Sequence, residues 1–247
     1  MSRYSALIAL QSATNYWSLD ESSAPFVDSI GGIQLSATGT PTTNQPAVVK
    51  TGVAFSGGLS QSLVSASNSS MTFDQTVGYS FSFIMRCDST MGASGAWGII
   101  SRRVSSGTAR TFGAFMQGST GGTINIDFGS NQVRWNSGFL PVQGVYYHIA
   151  VTYDPVGGVY SLYANGALYS SVSGQAPLTQ TLDSPFYLAA LGAISVSQLF
   201  PGLLDEVAVW NNKTLSPSEI LAQYSTAFPI IRVFNGTSWQ DADRKIL

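Results

Sequence analysis

Tyr147-His148-Ile149-Ala150-Val151-Thr152-Tyr153-Asp154 and, four residues further on, Val159-Tyr160-Ser161-Leu162-Tyr163-Ala164-Asn165-Gly166 decide the fold. In the first run Tyr147, Ile149, Val151 and Tyr153 share one face while His148 and Thr152 take the other, the period of a strand. The second run ends on Asn165-Gly166, and a third run covers 167–172. A tight type I′ turn needs positive φ at both central residues, so an Asn-Gly pair between two alternating runs predicts an antiparallel hairpin.

The same alternation extends outward from this hairpin. Tyr79, Phe81, Phe83 and Met85 alternate with Ser80, Ser82 and Ile84, which predicts a half-buried strand. Further strands are expected at 52–56, 62–66, 97–103, 111–117, 122–127, 131–135, 185–191 and 203–210, separated by Gly, Ser, Thr and Asn. One clear helix interrupts them. Ser216 is its N-cap, Pro217 its first helical residue and Glu219 completes a capping box, ahead of an apolar stripe at Ile220, Leu221 and Tyr224. A second helical segment covers 5–11. Many strands with one short late helix predict an all-β fold of two packed antiparallel sheets, the helix lying on an edge or rim.

Composition narrows the function. Charged residues make up 10% of the 247 and hydrophobic ones 44%, so a sizeable core is available and disorder is not expected. Ser and Thr outnumber the charged residues more than twofold, leaving little charge repulsion between copies, a balance common in proteins that sit in assemblies. A net charge of −2 without a basic stripe argues against nucleic acid. No apolar run approaches the ~20 residues that cross a bilayer, so no membrane insertion is expected. Ala6-Leu7-Ile8-Ala9-Leu10 is too short for a signal-peptide core. The lone Cys87 cannot form an internal disulfide and reads as a buried or edge thiol. Synthesis and folding in a reducing host cytoplasm are therefore expected.

Residues 229–247 read as a separate hairpin tail behind a domain of residues 1–228. Arg232-Val233-Phe234 and Trp239 flank Asn235-Gly236-Thr237-Ser238. A lone two-stranded hairpin is marginal in water, so Phe234 and Trp239 are expected to cover an apolar surface, either of their own domain or of another chain.

In family order, these segments resemble the laminin-G-like, concanavalin-like jelly-roll family. Tyr16-Trp17-Ser18-Leu19-Asp20-Glu21 and Asp28-Ser29-Ile30-Gly31 resemble its opening strand and first loop, and Val53-Ala54-Phe55-Ser56-Gly57 its F-x-G turn. Tyr79-Ser80-Phe81-Ser82-Phe83 and the hairpin quoted first resemble its central strands. Gly202-Leu203-Leu204-Asp205-Glu206-Val207-Ala208-Val209-Trp210-Asn211, with the helix after Leu215-Ser216, resembles its closing elements. The resemblance covers about residues 14–227 and implies a jelly-roll sandwich with Trp17 and Trp210 in its core. The tail is also similar to short F-N-G-T-S-W elements that end bacteriophage tail and capsid-associated proteins.

That fold carries lectins, adhesins, hydrolases and virion parts, so function must come from a site. Its glycosidases use an E-x-D-x-E strand that places carboxylates in one groove. Here the glutamates are Glu21, Glu206 and Glu219, and Asp205 and Glu206, adjacent in a strand, are expected on opposite faces. His148 lies mid-strand without a nucleophile elbow, as a sheet-face histidine satisfied by a neighbour. Some laminin-G relatives hold Ca2+ at the sandwich rim, and by family position Asp28, Asp154 and Asp205 would be the ligands. Alternatively Asp28 and Asp154 form turns and Asp205 is a structural acceptor. Sugar stacking on exposed aromatics points to Trp97, Trp135 and Tyr169, with Trp135 flanked by Arg134 and Asn136, although Trp135 fits a core position equally well.

The expected function is a non-enzymatic, virion-associated structural or adhesion module, a capsid decoration or minor tail protein. Its partners would be capsid or tail proteins, other copies of itself and host surface glycans. A free carbohydrate-binding lectin domain is the alternative, and a glycoside hydrolase the remote one.

Overall fold

The structure, a computed structural model, describes residues 2–57, 60–66, 76–103, 110–128, 133–175, 185–192, 198–229, 232–234 and 239–241. The chain opens with helix α1 (Arg3–Leu10), capped by Ser2, and strands β1 (Asn15–Trp17), β2 (Phe26–Val27), β3 (Gln34–Thr38) and β4 (Thr42–Pro46). Next come β5 (Thr51–Ser56), β6 (Ser62–Ser65), β7 (Tyr79–Cys87), β8 (Ala96–Arg103), β9 (Arg110–Gln117) and β10 (Thr123–Phe128). β11 (Val133–Asn136), β12 (Tyr146–Asp154), β13 (Val159–Ala164), β14 (Ala167–Val172), β15 (Phe186–Leu188) and β16 (Pro201–Trp210) complete the sandwich. Helix α2 (Pro217–Ala227) and a hairpin of β17 (Arg232–Phe234) and β18 (Trp239–Asp241) follow.

Two eight-stranded antiparallel sheets face each other. The first runs β14-β13-β12-β7-β16-β5-β4, with β1 also on β16; the second runs β11-β10-β9-β8-β15-β6-β3-β2. The expected hairpin is present, with Asn165 at φ 53 and Gly166 at φ 81. Gly166 is needed twice over, since a Cβ there would also lie 3.1 Å from Leu221 and Tyr224 of α2.

The inner faces form one apolar core. Trp17 stacks on Phe186 at 5.2 Å, and Phe81, Phe83, Phe112, Phe128, Tyr79, Tyr153 and Tyr160 fill the centre. Each such side chain contributes roughly 1.5–3 kcal/mol of burial, which pins the register of its strand.

β7 is buried on both faces, where alternation alone predicts one. The reason is a third layer. Tyr4 and Ile8 of α1 and Ile220 and Ala227 of α2 pack with Ile84, Ala150, Tyr163 and Trp210 on the outer face of the first sheet. The late helix thus lies across that face rather than on a rim. Its Ser216–Glu219 capping box forms as expected, and Gln223 reaches the sheet to meet His148.

A bulge in β16 breaks the strict alternation. Its register on β7 slips between Asp205 and Ala208, and Glu206 sits at φ 54. One extra residue on the bulged strand brings Glu206 to the same side as Asp205. The expectation of opposite faces is corrected on this point: Tyr16 OH donates to Glu206 Oε2 and Val49 N to Asp205 Oδ2, and both partners belong to the outer layer.

Candidate functional site

At one end of the sandwich the 137–145 loop leaves β11 in the second sheet and enters β12 in the first. Ser137 Oγ donates to Ile124 O at 2.6 Å, Ile124 N to Phe139 O at 2.8 Å and Val142 N to Tyr147 OH at 3.2 Å. The far end is tied to the segment after β7, where Gly144 N donates to Cys87 O and Gln143 Nε2 to Asp88 O, both at 2.8 Å. So anchored, the loop walls a groove of about 200 Å³ against the β9–β10 turn.

Met91, Met116, Leu140 and Val142 make the apolar surface of this groove, while Ser89, Thr90 and Gln143 line it with neutral polar groups. Gly121 and Gly122 form its end at φ 73 and 88. A Cβ on Gly122 would stand 3.3 Å from Met91 Cβ and 3.5 Å from Leu140 Cδ1, so the glycine keeps the groove open. Leu140 and Val142 remain 56% and 59% exposed. Thr90 Oγ1 donates to Gln143 Oε1 at 2.9 Å, which orients the amide. Among the groove-lining side chains there is no charge. The nearby Arg86 is held by Asp88 at 2.6 and 3.0 Å, and that carboxylate raises its guanidinium above the usual range. Such a groove can hold an uncharged amphipathic ligand.

The five residues expected to touch sugar are placed as follows. Trp97 lies opposite Met116 and Trp135 opposite Ile126, both half-buried against the inner core. Strand alternation turns Arg134 and Asn136 the other way. Arg134 donates to Asp127 at 2.8 and 3.3 Å and to Gln117 Oε1 at 2.8 Å, with its guanidinium 4.5 Å from the Phe115 ring centre. Asn136 Oδ1 accepts from Thr123 Oγ1 and Gly138 N, and Tyr169 OH donates to Gly138 O at 3.2 Å. Asn136 and Tyr169 thus converge on one turn, whereas Arg134 and Trp135 stand on opposite faces of β11. Residues of the rim groove were not singled out from the sequence, although Phe139-Leu140-Pro141-Val142, an apolar run between two strands, is the signal that marks it.

Asp28, Asp154 and Asp205 lie in three separate places. Asp28 accepts from Tyr16 N, Ile30 N, Gly31 N, Ile33 N and Asn15 Nδ2, a turn centre with both oxygens engaged. Asp154 accepts from Val156 N across a turn at 2.9 Å. Asp205 is buried beside Glu206. Among the described residues no group of three or more His, Cys, Asp or Glu could hold a metal ion. In the terminal hairpin the backbone of Phe234 stands in register with that of Trp239.

Beneath α1 lies a buried polar layer. Burial first, and then the charge of Glu206, lifts the Asp205 carboxyl well above its ordinary range. Burial pushes Glu206 up to about 8, against the lowering effect of the Tyr16 hydroxyl. Tyr4 is raised by burial and by Glu206. Alongside, His148 Nε2 bonds Gln223 Oε1 at 3.1 Å, Gln223 Nε2 donates to Gln11 Oε1 at 2.6 Å, and Gln11 Nε2 to Glu219 O at 3.0 Å. Burial pushes the imidazole down to about 4. This relay ties both helices to the sheet. Cys87, at the end of β7, is buried and its thiol is pushed up by that burial.

Two facing antiparallel sheets with loops gathered at the rims define a lectin-like jelly-roll domain. Residues 56–221 match the model of the concanavalin A-like lectin/glucanases superfamily, and the chain belongs to that family. No curated protein sequence matches. Among solved structures it is similar to the binding domain of Paraclostridial Mosquitocidal Protein 1, with a TM-score of 0.70 at 14% identity over 91% of this chain and 54% of that one. The chain thus spans about half the length of that binding domain. Domain 4 of AbnA, an extracellular GH43 arabinanase of Geobacillus stearothermophilus solved with arabinotriose, gives 0.63 at 14% identity over 86% of this chain and 98% of that one. The botulinum neurotoxin type G receptor-binding domain gives 0.61 at 14% over 86% and 51%. At these identities the likeness is one of fold. No described helix is long and apolar enough to cross a membrane.

Proposed function

We propose that the chain is a non-enzymatic binding module that holds a saccharide in the rim groove and is carried on a bacteriophage particle by its C-terminal hairpin. The groove carries this reading. It is open and uncharged, with thioether and aliphatic side chains for the C–H face of a sugar ring and amide and hydroxyl groups for its polar edge. The binding and receptor-binding domains among the similar structures, and the arabinotriose held with the arabinanase domain, support it. Asp205 and Glu206, the one adjacent pair of acids in the closing strand, are fully buried under α1, far from what a hydrolase requires of its carboxylates.

The virion half of the reading rests on residues 229–247. Pro229 follows the helix end, the hairpin pairs Phe234 with Trp239, and Ile230, Ile231 and Val233 load a short segment with apolar side chains. Large aromatics of this kind dominate interfaces. A glycan array probed with the intact chain and with Leu140→Trp, which fills the groove, tests the first half. Signal lost in the variant is expected, and an array blank for both chains would overturn it. Cosedimentation with the particle tests the second half, and a chain that stays free in solution while binding glycans is the free lectin instead.

A further inference from the structure

Resting on the saccharide reading of the groove, we infer that its ligand is an N-acetylated hexosamine, with the acetamido methyl seated between Met91, Met116 and Leu140. The groove is small, about 200 Å³, which matches one sugar residue and not an extended oligomer. Its walls are flexible thioethers and branched aliphatics with no aromatic plate among the lining residues. A hexose presents hydroxyls around its whole edge and would leave several of them against Met91 and Leu140 without partners, which is costly. An acetamido group places a methyl there instead, and thioethers fit such irregular apolar ends well.

The polar lining is complementary to the rest of that group. Gln143 uses its Oε1 to accept from Thr90 and one Nε2 hydrogen on Asp88 O, which leaves its second Nε2 hydrogen to donate to an acetamido carbonyl. Thr90 Oγ1, its own hydrogen committed to Gln143, keeps lone pairs to accept from the acetamido N–H. One donor and one acceptor, fixed relative to each other, are what a secondary amide needs.

Two other occupants fit worse. Acidic sugars would need a free cation, and Arg86, the neighbouring one, is engaged by Asp88 and Tyr146. An extended peptide would need unpaired strand backbone. Here Gly118 N donates to Gly95 O, Gly121 N to Gly118 O and Gly122 N to Gln117 O, so the turn satisfies its own amides.

The test is calorimetric and NMR titration of the full chain with methyl N-acetylglucosaminide and N-acetylgalactosaminide, beside the methyl glucoside and galactoside. The acetylated sugars are expected to bind about tenfold or more tightly than their parents, as a site built around an amide rejects ligands that lack it. Amide shifts should centre on Thr90, Met91, Gly122 and Gln143. Thr90→Val, nearly isosteric, should weaken acetylated sugars severalfold and leave the melting temperature in place, and Leu140→Trp should abolish their binding. Equal affinity for acetylated and parent sugars, or shifts centred on Asn136 and Tyr169, would overturn the inference while leaving a saccharide module. Absence of binding by every sugar on an array would overturn both.

Discussion

Asp205 and Glu206 are sequence neighbours that present their carboxyls to the same buried layer, one accepting from Val49 N and the other from Tyr16 OH. The bulge that achieves this costs backbone strain at Glu206, φ 54, of order 1 kcal/mol. It leaves two acids where neither can ionise freely, and the stability of the protein becomes a function of pH.

Burial raises Glu206 to about 8 from an ordinary 4.5. The unfolded chain then releases this proton first, so the stability is complete below about 4.5 and is lost as pH rises through about 8. Asp205, also raised, acts in the same direction. Melting temperatures are expected to fall between pH 6.5 and 8, each carboxyl contributing up to about 1.4 kcal/mol per pH unit. Glu206→Gln, which keeps an acceptor for Tyr16, should make that slope shallower. An unchanged slope would show that the layer is not the cause.

His148 works in the opposite sense. Its folded value is depressed to about 4 from 6.5, so its contribution is present above about 6.5 and is lost as pH falls toward 4. The free-energy difference between the intact chain and His148→Gln should shrink on acidification across that window, by up to about 1.4 kcal/mol per unit. A difference independent of pH would place the imidazole in a wetter site.

Gly166→Ala combines positive φ with a methyl 3.1 Å from Tyr224. A loss of about 1–3 kcal/mol in denaturant unfolding is expected. A loss of a few tenths would mean that α2 gives way without cost.

Arg134 is tied to Asp127 and Gln117 and covers Phe115, so its role is to stabilise the second sheet. Arg134→Ala is expected to cost about 1–3 kcal/mol through the lost charge-assisted bonds to Asp127 and the lost cover of Phe115, with little effect on groove binding. If sugar affinity collapses while stability holds, the outer face of β11 is the binding surface after all.

Truncation after Phe228 should keep the melting temperature and remove association with the particle or oligomer. A truncated chain that melts much earlier and yet assembles would make residues 229–247 a clasp on their own domain.

Strand alternation and the Asn165-Gly166 turn determined the sheets, since period two and positive φ are local properties that a sequence states directly. Ser216-Pro217-Ser218-Glu219 determined α2 in the same way. The short early strands β2, β3 and β4 were not legible, because β2 has only two residues and five-residue runs such as the polar Thr42-Thr43-Asn44-Gln45-Pro46 take strand form only from the neighbour they pair with. Tertiary structure alone decided the rest. It laid two helices over the first sheet, so that β7 is buried on both faces and His148 finds Gln223 some seventy-five positions away. It turned Trp135 inward and Arg134 outward, and it brought Met91, Met116 and Leu140 from three segments around one groove. Sequence periodicity reports which side a residue takes relative to its own strand; which side meets solvent depends on what else the chain folds against it.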